Sequence, residues 1–157
     1  TRWQEFTFTP KILIRGTDTR MTAVLDEEGS VFIGIYGIKV YAKIANDYKY
    51  LLALLNSQLY QWIFSIQNPS IKIGGEFFSI NAPHILRLPF KQISNEQRND
   101  FNKIVDKIQA ITQKDDYLDN SAKQAKVRDY EKKIDQLVYK LYALTPEEIK
   151  IVENQAQ

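Results

Sequence analysis

The chain has 157 residues, 44% of them apolar and 25% charged, a balance that suits one folded domain with a real core, or a compact domain with a helical appendage. It holds no cysteine and a single histidine, His84, which excludes disulfides and thiolate metal sites and leaves a histidine-based metal centre or catalytic triad without companions. Net charge is only +2, so no basic tail advertises nucleic acid.

Residues 11–15 (KILIR), 21–25 (MTAVL) and 31–36 (VFIGIY) read as strands from their length and β-branched content. Asp26-Glu27-Glu28-Gly29 reads as a tight turn, which Asp opens and Gly closes. Residues 38–42 (IKVYA) are expected to continue the sheet after a kink at Gly37, and Gly34 and Gly37 mark a bulge or a close backbone approach. Asn46 or Asp47 then caps a helix to about Ile66, whose leucines, isoleucines and Trp62 cover most of its circumference. Asn68-Pro69 ends it. A loop through Gly74-Gly75, a short aromatic strand at 76–80 and a last strand at 85–89 (ILRLP) follow, stopped by Pro89.

After Ser94 the pattern becomes helical. Phe101, Ile104, Val105, Ile108 and Ile111 line one face of a helix over about 95–113, and Val127, Tyr130, Ile134, Leu137, Val138 and Leu141 do so over about 121–142. The polar stretch 114–120 lets the two fold back as an antiparallel pair. A third helix has the clearest start, with Thr145 as N-cap, Pro146 at N1, Glu148 closing a capping box, and Leu144 and Ile149 as a staple. The expected class is α+β: a small, twisted, mostly antiparallel sheet on a buried helix, then a helical section. The two parts meet near Pro89, with residues 1–92 as one domain and 93–157 as a spacer or docking section. Residues 1–92 carry ten Lys/Arg against seven Asp/Glu, and residues 93–157 eleven against twelve, so the first part is the mildly basic one.

Catalytic motifs are missing. Asn68-Pro69-Ser70-Ile71 begins like the motif that holds a flipped base in adenine methyltransferases, but lacks its second proline and its aromatic ring. Glu131-Lys132-Lys133 and Glu148-Ile149-Lys150 match the letters of a metal-dependent nuclease, yet on a helix residues two apart point away from each other. No glycine-rich phosphate loop is present. Three loops instead carry groups suited to nucleic acid. Arg15, Thr17 and Arg20 stand in the first; Asn68, Ser70 and Lys72 in the second; Asn81, followed by Arg87, in the third. Guanidinium forks match guanine edges or phosphates, amides match adenine, and hydroxyls suit phosphates. Lys39 joins them as a phosphate contact. His84, beside the third loop, reads as a turn-satisfying residue. No stretch approaches the roughly 20 apolar residues of a membrane span, and no leader pattern opens the chain, so a soluble, cytoplasmic protein is expected. The start at Thr1, in mid-pattern and without an initiator Met, reads as a domain excised from a longer polypeptide.

The order of these features resembles the Taq-like C-terminal specificity domain, which ends fused type II restriction–modification enzymes and related DNA adenine methyltransferases of phage-defence systems. The residues that carry the resemblance are 10–15 (PKILIR), the turn at 26–29, 50–60 (YLLALLNSQLY) and 85–90 (ILRLPF). Leu54-Leu55-Asn56-Ser57 and Leu88-Pro89-Phe90 stand where that family has its landmarks, and residues 134–142 with 144–149 are similar to its close. The resemblance implies target recognition on double-stranded DNA, with loops entering the groove beside an N-terminal methyltransferase domain. It implies no cofactor in this chain; S-adenosylmethionine, and magnesium for any nuclease, would belong to the absent catalytic part. The competing reading is a protein-interaction module that docks a partner subunit, or a second copy, through the paired helices.

Overall fold

A computed structural model describes residues 10–29, 35–38, 47–69, 72–73 and 77–155, with backbone alone at 35–38, 72–73 and 155. The expectations for residues 31–34, for 39–42, for Asn46 and for Gly74-Gly75 fall outside the described residues. The α+β class holds, and the described strands divide between two three-stranded antiparallel sheets.

The first sheet has the order β3-β1-β4, with β1 (Lys11–Arg15) between β3 (Ala23–Asp26) and β4 (Ile35–Ile38). Residues 11 to 14 of β1 are all buried, so both its faces are covered and its sequence shows no alternation. The turn after β3 forms as expected: Glu28 N–H donates to Asp26 Oδ1 (3.1 Å), and Gly29 takes a positive φ of 84° that glycine adopts freely. The strands on either side of it do not pair with each other, because β1 lies between them. Lys11 and Asp26 face one another across the β1–β3 ladder as a buried ion pair, 5% and 7% exposed.

The helix expected over residues 47–66 is broken into α1 (Tyr48–Asn56) and α2 (Gln58–Gln67). Ser57 makes the break with an extended backbone (φ −71°, ψ 153°). Its hydroxyl donates to Leu54 O (2.7 Å) at the end of α1 and accepts from Tyr60 N–H (3.4 Å) in the first turn of α2. An all-round apolar pattern hides such a break, since hydrophobic periodicity says nothing about where a serine caps.

The strand expected at residues 85–89 is a short helix instead, α3 (Ala82–Leu86). Asn81 is its N-cap, Pro83 fits the first turn, and His84 Nδ1 accepts from Asn81 N–H (3.1 Å). These start signals outweigh the β-favouring letters of Ile85–Leu88, and His84 does satisfy a turn, as expected. Before α3 stand β5 (Lys72–Ile73) and β6 (Phe77–Ser79); with β2 (Thr17–Asp18) they form the second sheet, in the order β2-β6-β5.

The helical section follows the sequence closely: α4 (Asn95–Thr112), α5 (Ser121–Tyr142) and α6 (Pro146–Gln155). Ser94 and Gln97 form a capping box on α4, and Thr145 and Glu148 form the one expected on α6 (2.8 and 3.2 Å). One core crosses the junction at residues 89–94, joining Tyr50, Leu54 and Phe64 to Phe101, Val105 and Val138. The junction itself is tied down. Tyr60 and Tyr142 both donate to Pro89 O, Tyr50 donates to Lys91 O (2.8 Å), and Lys91 Nζ caps α5 at Leu141 O (2.8 Å). Residues 89–91, from the proline of the Leu-Pro-Phe landmark onward, are thus the strap on which three tyrosines close.

Candidate nucleic-acid interface

The second sheet gathers the three loops singled out in the sequence. Thr17 pairs with Ser79, Asp18 and Lys72 both pair with Phe78, and Ile73 pairs with Phe77. Ile80 N–H donates to Gly16 O (2.8 Å), extending the contact between the first loop and the third. Side chains alternate across this sheet. Phe78 turns inward, buried against Phe64 with ring centroids 5.6 Å apart and edge to face, which anchors the sheet on α2. Phe77, Thr17 and Ser79 share the opposite face; Phe77 is 48% exposed and Thr17 is exposed. Sequence reading missed Phe77. The signal was there, because in a strand covered on one face only, two consecutive phenylalanines cannot both be buried.

The candidate residues fall into three groups. Arg15, Thr17, Asn81 and Arg87 are exposed, and the Asn81 side chain also caps α3. Arg15 Nη1 reaches Asp18 Oδ2 at 3.4 Å, and Asp18 Oδ1 accepts from Thr19 N–H (2.8 Å), so one aspartate steadies the loop and orients the guanidinium. Arg87 closes α3, beside Leu86, which is 83% exposed. The second group bonds to the protein. Arg20 Nη2 donates to Asn56 O (3.4 Å), and Asn68, only 4% exposed, donates from Nδ2 to Phe64 O (2.9 Å) at the end of α2. The third group gives no side-chain geometry: Lys39 and Ser70 lie outside the described residues, and of Lys72 only the backbone is placed.

Behind the first loop lies a cavity of about 640 Å³ between β3 and the α4–α5 pair, lined by Arg20, Asn56, Glu131 and Asp135 among others. Burial pushes the Asp135 carboxyl up to about 6, and Glu131 and Glu153 add to the shift, against the Gln58 N–H bond (2.8 Å) and Arg20. Burial also raises Glu131, opposed by Arg20 and Arg128. The Arg20 cation therefore faces two carboxyls that are costly to ionise without it. Among the described residues, no three His, Cys, Asp or Glu side chains cluster to hold a metal ion.

A tight scaffold thus carries an exposed, polar rim of loops around the second sheet. The TaqI-like C-terminal specificity domain family matches residues 1–90, more than half of the chain, and the chain belongs to that family. It is thus a specificity domain of the kind found in restriction–modification enzymes, whose general role is recognition of DNA. The match runs through β1 to α3 and ends at Phe90, so the helical section lies outside it. No curated protein matches the sequence. Among the described residues, no helix is long and apolar enough to cross a membrane.

Proposed function

We propose that this chain reads a specific sequence in double-stranded DNA through the β2-β6-β5 sheet and its flanking loops. The observation that carries the reading is convergence: segments around residues 16–18, 72–73 and 79–81, far apart in the chain, meet in one small sheet. Arg15 and Arg87 are the proposed base readers, with Asn81 and the Thr17 hydroxyl beside them. Lys39 and Ser70 supply phosphate contacts that fix register. Arg20 and Asn68 act from behind, holding the loops. Residues 93–157 brace the reading domain and present it to an N-terminal methyltransferase domain. That partner, in the cytoplasm, would bring S-adenosylmethionine and modify an adenine, and any nuclease beside it would bring magnesium.

Binding of mixed-sequence duplex DNA measured against salt tests the reading. Affinity should fall with a log–log slope of about −0.9 per phosphate contact, and a selected duplex should bind more tightly than the mixture. Salt-independent or absent binding by the chain joined to its methyltransferase would overturn the reading in favour of protein docking through the helices.

A further inference from the structure

Two side chains that touch none of the proposed contacts decide where the first loop sits. Strand β3 is an edge of its sheet, and along an antiparallel edge alternate residues turn their N–H and C=O away from the neighbouring strand. Ala23 does so here, as does Met21 on the approach to the strand, and side-chain amides meet them. Met21 N–H donates to Gln61 Oε1 (2.9 Å), and Gln61 Nε2 donates back to Met21 O (2.8 Å). Ala23 N–H donates to Asn56 Oδ1 (3.0 Å), and Asn56 Nδ2 donates back to Ala23 O (2.9 Å). Each carboxamide thus pairs with one backbone residue as a neighbouring strand would. The second amide proton of each is also used, Asn56 on Leu52 O (3.1 Å) and Gln61 on Leu55 O (2.9 Å). Every acceptor and donor of both amides has a partner in one orientation only, since a flipped amide would set N–H against N–H.

The helix break explains why the pair can form. On an unbroken helix, residues five apart stand about 140° from one another around the axis and could not address the same strand. Ser57 ends α1 immediately after Asn56 and starts α2 so that Gln61 N–H donates to Ser57 O (3.1 Å). The break therefore sets the two amides side by side, along backbone residues two apart. The loop between β1 and β3 hangs from this clamp. Its far end is fixed at Met21, wholly buried, and its near end by Arg15 N–H to Thr22 O (3.4 Å) and Ile80 N–H to Gly16 O (2.8 Å). Arg20 is held to the same structure through Asn56 O (3.4 Å).

We infer that Asn56 and Gln61 are positioning residues for sequence discrimination, fixing the loop that carries Arg15 and Thr17 without touching DNA themselves. The inference rests on the DNA reading proposed above. Base readout needs donors held within a fraction of an ångström of the productive geometry, and an amide clamp on the loop's base supplies that. Phosphate contacts, being less directional, need it less.

The test replaces Gln61 by Met, which keeps the side-chain length and removes every amide bond. A duplex pool with a randomised centre first defines the preferred sequence of the unaltered chain. Affinities for that duplex and for a scrambled one are then compared in the Gln61→Met variant, below its melting transition. Discrimination should fall about tenfold or more, comparable to losing one base contact, while the salt slope on scrambled DNA stays the same. Unchanged discrimination in the folded variant would overturn the inference and leave the DNA reading standing. If Gln61→Met does not fold, Gln61→Glu serves, since it keeps the acceptor for Met21 N–H and loses both donors; the same two outcomes decide. No sequence preference in the unaltered chain joined to its methyltransferase would sink both the inference and the reading.

Discussion

The two sheets are built from the same part of the chain, yet they face opposite demands. In β3-β1-β4 the central strand is buried on both faces, an ion pair is sealed between Lys11 and Asp26, and side-chain amides close the outer edge at Ala23 and at Met21 just before β3. In β2-β6-β5 the strands are only two or three residues long, one phenylalanine anchors them, and hydroxyls, guanidiniums and Phe77 look outward. The first sheet spends its residues on rigidity, and the second is anchored on α2 through Phe78. A recognition domain needs both, because a surface free to vary with its target must be carried by a frame that does not vary.

The contrast is most directly broken at Lys11. Replacing it by Met keeps the volume but leaves the Asp26 carboxyl buried opposite an apolar chain, and the expected loss is about 3–5 kcal/mol of unfolding free energy. For a chain of this size that is about 2–4 °C of melting temperature per kcal/mol. The double variant Lys11→Met with Asp26→Asn should recover most of the loss, since the asparagine still accepts from Glu28 N–H. Chemical denaturation of the three proteins measures this; a loss below about 1 kcal/mol in the single variant would mean that the frame does not depend on its buried pair.

The next effect is smaller and depends on pH. Asp135 caps α2 through Gln58 N–H, and burial lifts its pKa from the ordinary 3.8 to about 6. The folded chain therefore keeps that proton to higher pH than the unfolded one does. Stability from this group is full below about pH 4, falls as pH rises to about 6, and is level above. Asp135→Asn retains the cap and removes the charge. Its stability relative to the unaltered chain should climb across that window, by on the order of 2–3 kcal/mol. A flat difference between pH 4 and 7 in paired denaturation curves would refute the burial of Asp135 as the cause.

Much of the frame was legible in the sequence. The helices of the C-terminal section have amphipathic faces and capping residues that leave one answer, as Thr145 and Glu148 illustrate. The three loops of the candidate interface were legible as polar segments. Their meeting in one sheet was not, because the β2–β6 and β5–β6 pairings join two- and three-residue strands too short to leave a periodic trace. The break at Ser57 and the helix at Ala82–Leu86 were hidden for another reason. Both are decided by capping hydrogen bonds, from Ser57 and from Asn81 with His84, inside stretches whose apolar content argued for something longer or more extended. Asn68 shows the limit of reasoning from residue type: an amide in a polar loop looked free to meet a base, and the fold instead uses it to finish a helix.

The smallest expected effect on stability sharpens the comparison most. Arg15 stands at the exposed end of β1, where the frame passes into the reading loop, and its side chain reaches Asp18 at 3.4 Å. Exposed pairs of this kind contribute little, so Arg15→Ala should change the unfolding free energy by no more than about 0.5 kcal/mol. Binding should respond differently. If the guanidinium reads a base, the variant should lose about 1–3 kcal/mol on the preferred duplex and almost nothing on a scrambled one. An equal loss on both would reassign Arg15 to a phosphate and lower the salt slope by about one contact. A substitution that leaves the fold intact and removes discrimination would show the division of labour between the sheets in a single residue, since Arg15 belongs to the first by its backbone and to the second by its side chain.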